Sequence, residues 1–452
     1  MKKRNDWIRK EDVRKKRKKD RGIVDFIKLM KHFFDALREW IEEMEDPRNA
    51  SYITYTQSDL ICMGILKNVC SIESMHSMNS MFNEDTCIRT LSIMSGNNCL
   101  DEMPHCDTLN YYLSKLPPDA LSEIRKRMIR KLIRSNLFQE ARVQGKYWRI
   151  ILDGTGLFSF HERHCEHCLK STYKDADGKE RIYYYHKVLE AKLVLGKNLV
   201  ISIGTEFIEN EDENVSKQDC EMNAAKRLLP RIKVDFPHLP ICIQGDALYE
   251  TEPFMKICRD YNWKYILTHK DERQPTVGKD YKLLEDVDKI CRTNVGKENG
   301  NAKCYNGVHT LSGKTETMNL LEYEYMDMQD GEARHFYWNT NIQLSLENIK
   351  EMVDVGRGRW SIENTGFNNQ KNILYTIEHL NSHDSTAMKN HYLLTQIADI
   401  LMQLYLKWNP MVREMGQGIK ETSSRLLESF RNRTVTDEDV AYIQIRTSMY
   451  LE

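Results

Sequence analysis

Two stretches end an apolar run on a single carboxylate: "RIILDGTG" on Asp153 and "ICIQGDALYE" on Asp246. Gly154 follows the first and Gly245 precedes the second. A breaker beside each carboxylate places both aspartates at strand edges rather than inside a core. Paired carboxylates from adjacent strands suit a divalent cation, because Mg²⁺ takes one or two carboxylates and keeps positions for water and phosphate oxygens. A third carboxylate is sought on a later helix, and Glu363 in "GRWSIENTGFNNQKN" is the candidate. Two ions, Mg²⁺ or Mn²⁺, held by Asp153, Asp246 and Glu363 would activate a water or a 3′-hydroxyl. They would also stabilise the leaving oxygen of an in-line displacement at phosphorus. Each residue has a plainer reading. Asp246 could cap the next helix, Asp153 could hold a turn before Gly154 and Thr155, and Arg359 with Glu363 could form an i, i+4 surface pair. Asp219, Glu221 and Glu250 are rival carboxylates, of which the first two sit at a helix start and favour its dipole.

A second constellation follows the first strand. In "FHERHCEHCLK", Cys165 and Cys168 are interleaved with His161, His164 and His167. Soft sulfur and imidazole at this spacing can wrap one tetrahedral Zn²⁺. No second Cys pair follows at finger spacing, so the other ligands would be His161, His164 or a distant residue such as His186. Zinc here would pin a loop beside Asp153; the alternative is a redox-active or merely exposed thiol pair.

The elements that must position these residues change character near residue 146. From 23 to about 145 the apolar spacing is helical, as in "IVDFIKLMKHFFDALREWIEEME" and "PPDALSEIRKRMIRKLIRSNLF". Next come "KYWRIILDGTGLFSF", "RIYYYHKVLEAKLVL" and "LVISIGTEFI", three strands with a polar loop between the first two. The helix "KQDCEMNAAKRLLPRI", the strand ending on Asp246, the helix "TEPFMKICRDYN" and the strand "WKYILTH" complete a βββαβαβ order over 146–270. That order predicts an α/β fold, a mixed sheet flanked by helices, behind an all-α N-terminal domain. Residues 271–340 read as a β-rich insertion, 341–410 return to helix, and 411–452 form a less defined tail.

Strand with Asp, mixed sheet, strand with Asp, β insertion, then helix with Glu: this resembles the RNase H-like core of DDE transposases from bacterial insertion sequences. "GDALY" and "IEN-x-GFN" are similar to local patterns of such enzymes, over roughly residues 146 to 400. The helix resembles the Y-x2-R-x3-E-x6-K signature of one large group, with Arg359 at the arginine and Glu363 at the glutamate. Gly356 stands at the tyrosine position and Gln370 at the lysine position, with Lys371 one step later. Seven residues return to nearly the same helix face, whereas eight rotate about 80° away. The resemblance implies metal-dependent cleavage at transposon ends and strand transfer into target DNA, by a homodimer assembled on DNA. Arg359 would position phosphate. Trp338 in "FYWNTN" would stack on a flipped base, since hairpin intermediates are known in this group, or else belong to a core. A nuclease of the same core that cuts without joining, or a DNA-binding descendant that has lost the chemistry, are the alternatives.

Charge supports a nucleic-acid partner. Residues 1–22 hold 12 Lys or Arg against 4 Asp or Glu, a local +8 in a chain of net charge −1, so the remainder stands at −9. A basic arm on an acidic body suits a polyanion such as double-stranded DNA, though charge runs of this size are also common as solvated tails. The basic helix 125–134 and Lys371 could neutralise phosphates as well. That helix alternates with Met128, Ile129, Leu132 and Ile133, so it could equally pack on its own domain. At 40% hydrophobic, with 12 scattered cysteines and no long uncharged apolar run, the chain reads as a soluble cytoplasmic protein with no membrane partner.

Overall fold

The computed structural model describes residues 21–162, 165–273, 275, 279, 289–308, 317–409, 412 and 416–441. The basic arm lies outside them except for Arg21 and Gly22. The chain folds as two units, one of Met1–Lys131 with Lys371–Glu452 and one of Leu132–Gln370. Strand structure begins at Trp148, the contact boundary between the units lies within the preceding helix at Lys131, and the apolar helix near the C-terminus groups with the first unit.

In its described residues the first unit is helical. Helices α1 (Gly22–Phe33), α2 (Leu37–Glu42), α3 (Gln57–Val69), α4 (Met75–Met81), α5 (Asp85–Ser95) and α6 (Cys106–Lys115) precede α7 (Pro118–Arg134), within which the unit's first segment ends. Thr56 and Asp59 close a capping box on α3, satisfying two backbone donors that the first turn leaves without helical partners. A long helix of the second segment, Ser385–Trp408, is buried along most of its length and starts from the Asp384 cap. It is fixed by Asn390, whose amide donates to the carbonyls of Leu113 and Leu116, each at 2.7 Å. Its apolar run is explained by this burial: among the described residues no helix is long and apolar enough to cross a membrane.

The second unit is a ten-stranded mixed sheet with helices against it. Strand β1 (Trp148–Phe160) is central and buried on both faces, hence its near-continuous apolar run. It pairs antiparallel with β3 (Glu180–Gly196), and β3 pairs antiparallel with β4 (Leu199–Ile208). On its other side β1 runs parallel to β5 (Ile241–Gly245), and β5 parallel to β6 (Lys264–Thr268). The polar loop between the first two expected strands holds β2 (Leu169–Lys174), a short strand on the N-terminal half of β3. Helix α8 (Glu221–Asp235) lies on β4, with Leu228 and Ile232 against the bare Cα of Gly204. Helix α9 (Glu252–Asp260) joins β5 to β6.

The β-rich insertion extends this same sheet. Strands β7 (Ile290–Val295), β8 (Gly300–Val308), β9 (Met318–Met326) and β10 (Ala333–Thr340) form an antiparallel meander, and β10 pairs with β6. Helix α10 (Ile349–Arg357) packs on it through Ile349, Met352 and Val353, which share a core with Val295, Leu321 and Trp338.

Candidate active site

Strand register brings Asp153 and Asp246 together. In the parallel β1–β5 pair, Ile151 stands beside Gln244. Each aspartate lies two residues further on, so both continue that register on the face of Ile151 and Gln244, at the C-terminal end of β5. Asp153 Oδ1 accepts the Gly154 N–H at 2.9 Å, and Asp246 Oδ1 accepts the Leu248 N–H at 2.9 Å. The Asp246 contact is a local turn and not a helix cap, because α9 begins only at Glu252.

The segment after α10 covers the same face. It tightens into a 3₁₀ turn at Gly358–Trp360 and then widens into a π-helical stretch, Ile362–Phe367. Such widened turns concentrate at functional sites. Ile362 and Phe367 pack with Ile151, Val194 and Val200, which seats the stretch on the sheet two residues from Asp153. Arg359 and Glu363 ride on it. The Arg359 guanidinium lies 3.5 Å from Asp153 Oδ2 and stacks over Trp360, at 4.8 Å from the ring centre. It does not pair with Glu363, so the surface ion-pair reading does not describe it. The Glu363 side chain is exposed and its carboxylate makes no hydrogen bond or ion pair among the described residues. As the side chains stand, the three carboxylates do not converge into one three-donor cluster; mutual repulsion opposes that convergence unless a cation balances it.

Electrostatics mark Asp153. Burial pushes its carboxyl up to about 6, Arg359 pulls it down, and the charges of Glu221 and Asp246 raise it again. The donor set therefore fits a divalent cation: hard oxygens carrying more negative charge than one guanidinium offsets.

Glu221, set aside from sequence as a dipole-favouring helix residue, points at the site from the opposite face of β1. Its carboxylate sits where a Cβ on Gly154 would be, about 2.5 Å from that position. It pairs with Lys187 Nζ and accepts from the Tyr249 hydroxyl at 3.1 Å. Burial, with Glu221 next, holds the Tyr249 hydroxyl well above its ordinary pKa, so it remains a donor. Glycine at 154 was the available signal, since a strand position stripped of its side chain admits a neighbour.

Next to Asp153 across the ladder stands Glu190. Glu190 and Lys192 are fully buried and 3.8 Å apart, with Lys192 Nζ 6.0 Å from the Phe367 ring centre. Thr205 donates to Glu190 Oε1, while Glu190 Oε2 has no hydrogen-bond partner. An isolated charge could not persist there, which is why the sequence supplies both signs.

Other expected contacts fall elsewhere. Trp338 is 3% exposed and stacks on Phe336 at 5.8 Å, so base stacking by this residue is corrected to a core role. A Cβ on Gly356 would lie 2.5 Å from Trp338 Cε2. Glycine at the position expected for tyrosine is thus what lets α10 approach β10. Lys371 pairs with Glu378 at 2.7 Å. In α7, Arg127 pairs with Glu43 and Glu123, Lys131 pairs with Asp35, and Met128 and Ile129 are buried, so the helix packs on its unit. Of the expected zinc donors, Cys165 and Cys168 converge on His186. His161 turns away onto Tyr173, at 6.2 Å between ring centres, and His164 lies outside the described residues.

No protein-family model matches the sequence. No curated protein matches it either. Among solved structures, the chain is similar to piggyBac transposase in the cryo-EM structure of its synaptic complex with hairpin DNA, at 10% identity and a TM-score of 0.41, covering 94% of this chain and 85% of that one. A likeness of that size leaves the chemistry to the site itself.

Proposed function

We propose that the chain is a DDE-type DNA transposase, with Asp153, Asp246 and Glu363 as metal ligands in an RNase H-like core. The observation that carries the reading is the Ile151–Gln244 register, which leads to Asp153 inside β1 and Asp246 just past the end of β5, side by side under the segment bearing Arg359 and Glu363. Strand order supports it as well: taken alone, β4-β3-β1-β5-β6 is a five-stranded mixed sheet with helices outside, the plan expected of such a core. Two Mg²⁺ or Mn²⁺ ions held by these carboxylates would supply an activated water or 3′-hydroxyl and charge stabilisation at phosphorus.

The chain's own groups do the rest. Asp153 and Asp246 set the site's position through their strands. Arg359 presents a rigid fork of donors to a phosphate oxygen beside Asp153. Glu221, Lys187 and Tyr249 brace the strand ends from the opposite face. The helical unit would read the terminal inverted repeats, and a homodimer would join two ends.

The test is to incubate the protein with Mg²⁺ or Mn²⁺ and DNA carrying the ends of its own element, beside Asp246→Asn, and to follow 3′-end cleavage and strand transfer. Cleavage and joining by the wild type and neither by Asp246→Asn is the expected result. Cleavage without joining would make it a nuclease, and DNA binding without cleavage would make it a descendant that has lost the chemistry.

A further inference from the structure

The loop after β1 gathers two thiols and one imidazole that phosphodiester chemistry does not use. Cys165 Sγ lies 3.5 Å from Cys168 Sγ and 3.2 Å from His186 Nε2, and Cys168 Sγ lies 3.3 Å from the same nitrogen. Sulfurs in a disulfide stand about 2.05 Å apart, so these are separate thiols. Around tetrahedral Zn²⁺, with Zn–S about 2.3 Å and Zn–N about 2.0 Å, neighbouring donors stand roughly 3.5 to 3.8 Å apart. The triangle has to open by only a few tenths of an ångström to receive the ion.

What surrounds the donors is built for the same purpose. Cys168 and His186 are buried. The His186 ring packs against Phe158 and Phe160, at 5.2 and 6.4 Å between centres. Its other nitrogen, Nδ1, is 4.0 Å from Glu209 Oε1. A carboxylate on that side of the ring favours the proton on Nδ1, the tautomer that leaves Nε2 free to act as the ligand. The loop is tied down by Asn210, whose side chain donates to the Cys168 carbonyl at 2.8 Å and whose backbone N–H donates to the His167 carbonyl at 3.1 Å. These contacts place the thiols before any ion arrives.

We propose that Cys165, Cys168 and His186 bind one Zn²⁺, which staples the loop after β1 onto β3. His161 takes no part. Thiolate and imidazole select zinc, whereas the carboxylates of the catalytic face select Mg²⁺ or Mn²⁺, so the two sites do not compete for one metal. The ion serves geometry: β1 runs from Asp153 directly into the stapled loop, and pinning its end limits the freedom of the strand that carries the first carboxylate. The proposal stands whether or not the chain cuts DNA.

The test is elemental analysis of the purified full chain beside His161→Ala, Cys168→Ser and His186→Ala. About one zinc per chain is expected in the wild type and in His161→Ala, and none in the other two. Buried variants can lose metal by unfolding, so the wild type supplies a second reading. After chelation, alkylation of Cys165 and Cys168, followed by peptide mass spectrometry, should rise, and added Zn²⁺ should restore protection. Two results would each overturn the assignment. One is a wild type without stoichiometric zinc whose two thiols react equally with and without Zn²⁺; the other is retention of zinc by both Cys168→Ser and His186→Ala.

Discussion

Arg359 Nη1 stands 3.5 Å from Asp153 Oδ2, while Glu363, four residues along the same segment, is left without an ion pair. The guanidinium is therefore spent on the first aspartate, whose carboxyl burial has already lifted to about 6. Removing it lifts that carboxyl further, because the opposing term is gone. Arg359→Ala should move the acid limb of the pH–rate profile for DNA cleavage to higher pH and lower the plateau by roughly 100-fold, about the loss of one well-placed charge-stabilising donor. Arg359→Lys keeps the charge and loses the fork, so it should restore the position of the limb and only part of the plateau.

The same lifted carboxyl has a stability consequence. A carboxyl with a folded value of about 6 against an ordinary 3.8 opposes folding once the unfolded chain ionises. The penalty is absent below pH 4, grows between 4 and 6, and is complete above 6, with a ceiling of about 3 kcal/mol. Metal-free Asp153→Asn should therefore be more stable than wild type in urea titrations at pH 8, and the gain should vanish near pH 4. Equal stabilities at both pH values would show that Asp153 is not strained.

Gly356 and Trp338 give the clearest steric prediction. Any side chain at 356 enters the indole, so Gly356→Ala should cost about 1 to 3 kcal/mol through overpacking, measured by thermal or urea unfolding. Gly356→Tyr, which would complete the signature motif, should abolish folding of the Leu132–Gln370 unit rather than improve activity.

That pair also shows where the sequence could be read and where it could not. Asp246 was legible because an apolar run that stops on a carboxylate beside glycine reports a strand edge through local pattern alone, whereas Asp153, expected at an edge, lies inside β1, which continues past Gly154 to Phe160. Trp338 was not, since an aromatic in a strand reads the same whether it faces a helix or solvent; only the approach of α10 decides it. The contacts of Glu221 were hidden for a related reason. A helix-start carboxylate satisfies the dipole wherever its side chain points, and its direction depends on Gly154 in another strand. His186 lies eighteen residues beyond Cys168, and only the β2–β3 pairing folds it back onto the thiols. The helix Ser385–Trp408 is apolar for either unit, so pattern could not assign it.

A buried histidine makes a second pH test. His269 Nδ1 lies 3.0 and 2.9 Å from the two oxygens of Glu250, and Nε2 lies 3.2 Å from Asp271 Oδ1. Burial lowers its pKa, but the contacts with Glu250 and Asp271 outweigh that and hold it raised. A raised histidine stabilises fully below its unfolded value of about 6.5 and loses that contribution as pH rises through the folded value. The stability gap between wild type and His269→Gln should be larger at pH 6 than at pH 9. A gap that widens with pH would mean the imidazole is neutral in the fold.

The Glu190–Lys192 pair tests which of the carboxylates near Asp153 only supports the sheet. Glu190 is the ladder neighbour of Asp153 and could be mistaken for a metal ligand, yet it is fully buried and shares its charge with Lys192, which lies under Phe367. Lys192→Met alone strands a buried carboxylate and should cost on the order of 3 to 5 kcal/mol. Glu190→Gln in the same chain removes the orphaned charge and should recover most of that loss, because matched removal of a buried pair is often nearly neutral. If Glu190 only supports the sheet, the double variant should also regain metal-dependent cleavage to within a few-fold of wild type. Recovered stability without recovered cleavage would place Glu190 in the metal site. Urea titration and the cleavage assay on the same two preparations decide between them, and the sealed position of Glu190 makes recovery of both the expected outcome.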